Sequence, residues 1–224
     1  MRPSYTIPLA IVFGGIIVAV SVYVSIPKSP ASSGAGDPSL VRPVGASDHI
    51  LGNPAAKVMI VEYADFDCEY CKVFDATLHQ IIADEGATGN VAWVYREFPL
   101  IEIHPHAMTN AEAAECAAQT AGNDAFWQFK TQLFDHQPID PSQYGTFAQS
   151  IGLTGDAFAT CFSNASTTVD ARIMADRQNA LDMGAQGTPF SLILIAGKPP
   201  VVMNGGYSYD AAKQLVDEAL QSVR

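Results

Sequence analysis

The stretch VMIVEYADFDCEYC, residues 58–71, runs from an apolar segment of strand length into two cysteines spaced three apart. Val58 to Tyr63 is almost continuously apolar, the pattern of a strand covered on both faces of a sheet. Beyond it Cys71, Val73, Phe74, Thr77, Leu78, Ile81 and Ile82 recur at intervals of three and four up to Gly86, which predicts a helix with one buried face. Val91 to Phe98 (VAWVYREF) is a second strand, and strand, helix and strand at these lengths require a right-handed parallel crossover. Towards the carboxyl end, Phe190 to Ile195 and Val201 to Met203 flank a turn at Gly197 and predict an antiparallel hairpin. Ser208 to Ser222 then places Ala212, Leu215, Val216, Ala219 and Leu220 on one stripe of an amphipathic helix that packs on the sheet. The fold class is α/β.

Cysteines three apart at the start of a helix face the same side and are able to form a disulfide. Cys68 lies where unpaired N–H groups and the helix dipole favour a thiolate, so it is the attacking sulfur. Cys71, one turn deeper, is shielded and resolves a mixed disulfide by attacking Cys68. Half of a zinc site and a purely structural disulfide are the competing readings, but zinc needs four ligands and there is no second close cysteine pair. Glu69 and Tyr70 separate the two cysteines. A carboxylate about 7 Å from a thiolate in water costs roughly 0.6 kcal/mol, against about 0.3 to 2 kcal/mol from the helix terminus in the other direction, so the terminus prevails narrowly. Glu62 is a charge inside an apolar strand, costly unless partnered or neutralised, and burial would raise its pKa. It either accepts the proton of Cys71 during resolution or points to solvent at a strand end.

Residues 105–186 carry almost no strand pattern and read as an inserted helical domain. Its first helix is alanine-rich (AMTNAEAAECAAQTA) and stops at Gly122; the second starts at Asp124 and bears Phe126, Trp127, Phe129, Leu133 and Phe134 at the spacing of a buried face. Gln143 to Ile151, Asp156 to Phe162 and Thr168 to Leu181 are shorter helices. At the amino end, a flank at residues 1–6 precedes Ile7 to Ile26, which are mostly apolar and long enough for about one bilayer crossing. Tyr23 and Val24 stand where a cleaved signal would have small residues, so residues 7–26 read as an uncleaved anchor with the body of the protein outside the cytoplasm. Residues 27–47, rich in Pro, Ser, Gly and Ala, read as a flexible linker. Residues 48–104 and 187–224 then form one folded domain around the insert, within the capacity of a 224-residue chain that is 48% hydrophobic. The net charge of −11 comes from the folded part, where 22 acidic residues face 9 basic ones after residue 47, and it excludes a nucleic-acid partner.

Through HILGN (49–53), EYADFDCEYC (62–71), HPHA (104–107) and GTPF (187–190), the sequence resembles the DsbA-like thiol-disulfide oxidoreductases of the thioredoxin-fold superfamily, especially their membrane-tethered bacterial branch. The resemblance covers nearly everything after Asp48 and implies a thioredoxin fold, a central mixed sheet with flanking helices and a helical insertion, preceded here by one transmembrane helix. It implies that Thr188 and Pro189 form a cis-proline loop presenting backbone to the substrate, where a plain strand-initiating proline is the alternative. Glu62 matches the family's buried acid. Members of the family carry a second bridge, for which Cys116 and Cys161 are the candidates; an oxidising compartment and the even cysteine count favour it over two buried free thiols. His104 and His106 are explained by capping and packing and are assigned no chemistry. Glu69 and Tyr70 replace the Pro and His of the most oxidising relatives, which predicts a less stabilised Cys68 thiolate and a lower reduction potential. The implied activity is exchange of the Cys68/Cys71 disulfide with cysteines of secreted or envelope proteins, in the periplasm or at the cell exterior, in the direction of disulfide formation. A membrane redox partner, a quinone-linked oxidase or a transmembrane reductase, is implied, and no metal or organic cofactor. The alternatives are a disulfide reductase or isomerase fed by a membrane reductant, and a non-catalytic module holding clients in the groove beside Pro189.

Overall fold

The computed structural model describes residues 36–223; the amino-terminal flank, the expected anchor at 7–26 and the first part of the expected linker lie outside the described residues. Among the described residues no helix is long and apolar enough to cross a membrane. Strand β1 is His49–Gly52 and β2 is Val58–Ala64, followed by helix α1 (Glu69–Glu85) and β3 (Val91–Glu97). Strands β4 (Phe190–Ile195) and β5 (Val201–Asn204) and a carboxyl-terminal helix, Tyr209–Gln221, complete the scaffold. The five strands lie in the order β1-β3-β2-β4-β5. β2 and β3 are parallel from Val58 opposite Val91 to Ala64 opposite Glu97, β4 is antiparallel to β2, and β5 to β4. The sheet is the mixed one expected. β2, at its centre, is buried at six of its seven residues, which accounts for its unbroken apolar run. The edge strand β1 carries the HILG residues and pairs antiparallel with β3. At four residues it is too short to register as a periodic pattern.

Between β3 and β4 come α2 (Ala107–Ala121), α3 (Asn123–Asp135), α4 (Tyr144–Ser150), α5 (Asp156–Ser163), α6 (Ala165–Thr168) and α7 (Asp170–Asp182), so the terminal helix is α8. The single helix expected over 168–181 is divided at Val169, whose φ of −126° leaves the helical range. Three β-branched residues meet there, and the Thr167 and Thr168 hydroxyls donate back to the Asn164 carbonyl at 2.9 and 3.1 Å, competing with the backbone ladder. The insert is not a separate body. Phe126, Trp127 and Phe129 of α3 share one apolar core with Trp93 and Tyr95 of β3 and Leu78 of α1. Across the β1 edge, the His49 ring stacks on Phe126 at 3.5 Å and its Nε2 meets Glu115 Oε1 at 3.0 Å.

Residues 38–47, expected as the end of a flexible linker, are instead held against the domain by a buried cation. Arg96 on β3 is sealed from solvent. Its guanidinium donates to Asp48 at 2.8 and 3.1 Å, to the Tyr63 hydroxyl at 2.7 Å, and to the Arg42 and Pro43 carbonyls at 3.1 and 3.3 Å. Arg42 in turn pairs with the buried Asp176 of α7, and Asn179 grips the Leu40 carbonyl at 2.8 Å. A buried guanidinium must satisfy its donors inside the fold, and here the polar backbone of the segment supplies the acceptors that composition alone does not reveal.

Cys116 of α2 and Cys161 of α5 are joined by a disulfide across 45 residues. Closing a loop of that length removes unfolded-chain entropy equivalent to about 4 kcal/mol. Replacing both cysteines by alanine is expected to lower the unfolding free energy by up to about 4 kcal/mol, read as a reduced denaturant midpoint.

Candidate active site

Cys68 is the N-cap residue of α1, with extended backbone angles (φ −78°, ψ 118°) and no side-chain cap, so its sulfur rather than a capping oxygen faces the helix terminus. The turn that delivers it is braced from below. Cys68 N–H donates to the Asp65 carbonyl at 3.1 Å, and Asp67 N–H to the Asp65 carboxylate at 2.7 Å. The other Asp65 oxygen accepts from Leu100 N–H at 2.7 Å and meets His104 Nδ1 at 2.9 Å. Asp67 accepts from the His106 backbone N–H at 3.2 Å and from Asn110 Nδ2 at 2.8 Å. The HPHA residues, assigned no chemistry from sequence, thus secure the turn that presents the cysteine. Gln137, beyond α3, donates its amide to the Phe66 carbonyl and, at 3.3 Å, to the Cys68 carbonyl.

The two sulfurs are unequal. Both are free thiols. Cys68 is 5% exposed and Cys71 fully enclosed. The Cys68 thiol is pulled down to about 6, chiefly by a hydrogen bond from Cys71, with further support from the Cys71 and Tyr70 backbone N–H groups; burial opposes the shift. Cys71 is pushed well above the ordinary thiol range by burial, and by Cys68 beside it. Cys68 is thus the more readily ionised sulfur and Cys71 the shielded one.

Thr188 and Pro189 are brought to the same point, and their peptide bond is cis. The Thr188 carbonyl faces Cys68 Sγ at 3.5 Å, while the Pro189 carbonyl is occupied by Gly205 N–H at 2.9 Å.

Glu62 lies beneath, on β2, and does not reach solvent. One carboxylate oxygen accepts from Trp93 Nε1 at 3.1 Å, and the other has no protein partner among the described residues. Burial pushes its carboxyl up to about 7, against the opposing influence of Lys130 and the Trp93 hydrogen bond. Of the two placements open from sequence, the buried one holds.

One partner is not foreseen from the sequence, the wholly buried Lys130 of α3. Its ammonium contacts Asp75 of α1 and sits over the Trp93 ring at 4.1 Å, with Trp127, Phe134 and Tyr95 at 5.0, 5.1 and 5.4 Å. Burial brings it down to about 7, while Glu62 and Cys71 favour the charged form. A signal is nonetheless present. Lys130 falls four residues after Phe126 and three before Leu133, on the apolar stripe of α3, where a solvated lysine would not be placed.

The chain matches the sequence profile of the thioredoxin family over residues 46–217. Among curated proteins it is 31% identical over 183 residues to the Na(+)/H(+) antiporter NhaA 3 of Salinispora tropica, a match covering 79% of this chain and 25% of that one. It thus spans about a quarter of the length of the curated relatives it matches. Among solved structures it is similar to alpha-DsbA1 of Wolbachia pipientis, a match covering 84% of this chain and 100% of that one at 20% identity, TM-score 0.68. It is also similar to oxidised BdbD of Bacillus subtilis, covering 78% and 93% at 24% identity, TM-score 0.66. These likenesses establish a DsbA-like fold.

The geometry sets the outcome of three measurements. Alkylation of Cys68 should rise with pH through a midpoint near 6, where its thiolate forms, with Cys71 silent over the same range. Glu62→Gln should slow resolution of a mixed disulfide by about a hundredfold, the lower end for a lost proton acceptor. Lys130→Met should shift the rising limb of that reaction's pH profile upward, since the cation holding Glu62 down is gone.

Proposed function

The chain belongs to the thioredoxin family, and from that premise we propose that it is a membrane-tethered thiol-disulfide oxidoreductase that introduces disulfides into secreted or envelope proteins. The observation that carries the reading is the lowered, nearly enclosed Cys68 sulfur held between a helix terminus and the cis Thr188–Pro189 loop, above an enclosed Cys71. In the oxidised protein, a client thiolate attacks Cys68. The Cys68–Cys71 bond breaks, a client–Cys68 disulfide forms, and Cys71 leaves as a thiolate that takes up a proton, for which the Glu62 carboxyl beneath it is the donor. A second client thiolate then attacks the client sulfur of that mixed disulfide and releases Cys68 as a thiolate. Two electrons pass from client to protein, and the client keeps the disulfide. When Cys71 instead attacks the mixed disulfide, Glu62 works in reverse as proton acceptor and the client is released reduced.

The direction rests on which form of the protein the fold favours. A hydrogen-bonded Cys68 thiolate stabilises the dithiol state, so the disulfide is readily given away. At about 6 the Cys68 pKa lies between roughly 3.5, found in the strongest disulfide donors, and roughly 7, found in reductants, in keeping with Glu69 and Tyr70 between the cysteines. Placement outside the cytoplasm is supported by the apolar stretch Ile7 to Ile26 and by the Cys116–Cys161 bridge, which an oxidising compartment preserves. Turnover requires a membrane redox partner, a quinone-linked oxidase, that reoxidises the dithiol.

Equilibration of purified protein with glutathione buffers is the direct test. A Cys68/Cys71 potential above about −200 mV, in the range of disulfide donors, is expected, and a value near −270 mV would mark a reductant instead. Cys68→Ser should abolish exchange; retention of function in cells would identify a client-holding module.

A further inference from the structure

Cys68 is flanked by a second feature, lined by residues other than those of the cis-proline loop. A groove of about 740 Å³ opens between the first turns of α1 and the Gln137–Pro138 turn. Asp67 and Glu69, the residues on either side of Cys68, form its near wall, and Val73, Ala76 and Pro138 supply apolar surface. Val73 is 65% exposed and nothing in the described chain covers it. Among the lining residues Lys72 is set against two carboxylates, so the groove is negative at the end nearest the reactive sulfur. The Asp67 carboxylate is fixed there by Asn110 and the His106 N–H, and the far wall by the hydrogen bonds of Gln137 to the Phe66 and Cys68 carbonyls.

We propose that this groove receives an extended client segment carrying a lysine or arginine within about three residues of its reactive cysteine, its aliphatic stem over Val73 and Pro138 and its charge at Asp67 and Glu69. The proposal rests on the exchange reading above and adds the class of client. The occupant is fixed by continuity. Whatever fills a groove whose near wall brackets Cys68 is adjacent to the chain bonded to that sulfur, and at about 3.3 Å per residue its second or third neighbour lies over Val73. Complementary charge at such a rim raises the encounter rate and selects among clients.

The test uses synthetic dithiol peptides identical except for Arg, Gln or Glu placed two residues from the first cysteine, on either side, with the full-length oxidised protein. The rate of mixed-disulfide formation at Cys68 should be roughly fivefold to tenfold higher for the Arg than for the Glu peptide at low ionic strength, falling towards equality at high salt. Glu69→Gln should reduce the Arg-to-Glu ratio; being a ratio, it is insensitive to any change in Cys68 reactivity. Val73→Arg, at an exposed position the fold tolerates, should invert it. Equal rates for the three peptides, or a ratio unmoved by Val73→Arg, would overturn the proposal while leaving exchange intact. Failure of the Gln peptide to react at all would instead remove the exchange reading.

Discussion

Glu62 of β2, Lys130 of α3 and Cys71 of α1 are closed off from solvent, and burial raises the cost of a charge on each of them. Burial drives the carboxyl and the ammonium from opposite ends of the scale towards the same value of about 7, while the thiol is driven upward. Burial thus brings Glu62 and Lys130 closer in proton affinity than they are in solution, while it holds Cys71 as the thiol. Aromatic rings surround Lys130. They give the ammonium a polarisable surround when it is charged, beside the Asp75 carboxylate that it contacts.

The upper sulfur obeys the opposite rule. Cys68 takes the N-cap position without a capping side chain, so the donors at the start of α1 stay available to its thiolate. Its turn is held by Asp65, which meets Leu100 and His104 of the segment before α2, and by Asp67, which accepts from His106 N–H and from Asn110 of α2. One helix terminus thus separates an ionised sulfur from a protonated one across a single turn, and the difference comes from depth rather than from different chemistry.

Much of this is legible in the order of residues alone. The β2–α1–β3 unit, the β4–β5 hairpin and the cysteine pair follow from period and spacing, because buried strands and one-faced helices leave those signatures in the order of apolar residues. Glu62 is conspicuous as a charge in an apolar strand. Lys130 is not, since in a helix one charged residue per turn is ordinary and only its register on the buried stripe sets it apart. The docking of residues 38–47 leaves no pattern either. It depends on backbone carbonyls of Arg42 and Pro43 answering a guanidinium 54 and 53 residues away, a contact made by the main chain and so invisible in side-chain identity. Likewise His104 has its role only because the fold brings it 2.9 Å from Asp65, 39 residues earlier in the chain.

The helical insert does more than cover the sheet. α3 supplies the buried ammonium, and the turn just beyond it supplies both Gln137, which ties down the Cys68 carbonyl, and Pro138, which walls the groove. The sheet fixes the opposite side through the cis Thr188–Pro189 loop and Glu62. A strand-helix-strand unit alone would present the two cysteines with neither the cation that moderates Glu62 nor a second wall. The reactive sulfur therefore sits at a seam, and its proton chemistry and the surface offered to a visiting chain are both set by how closely α3 packs on α1 and β3. Because Lys130 and Gln137 are seven residues apart on the same element and its exit, a shift of α3 would alter the buried charge and the groove together.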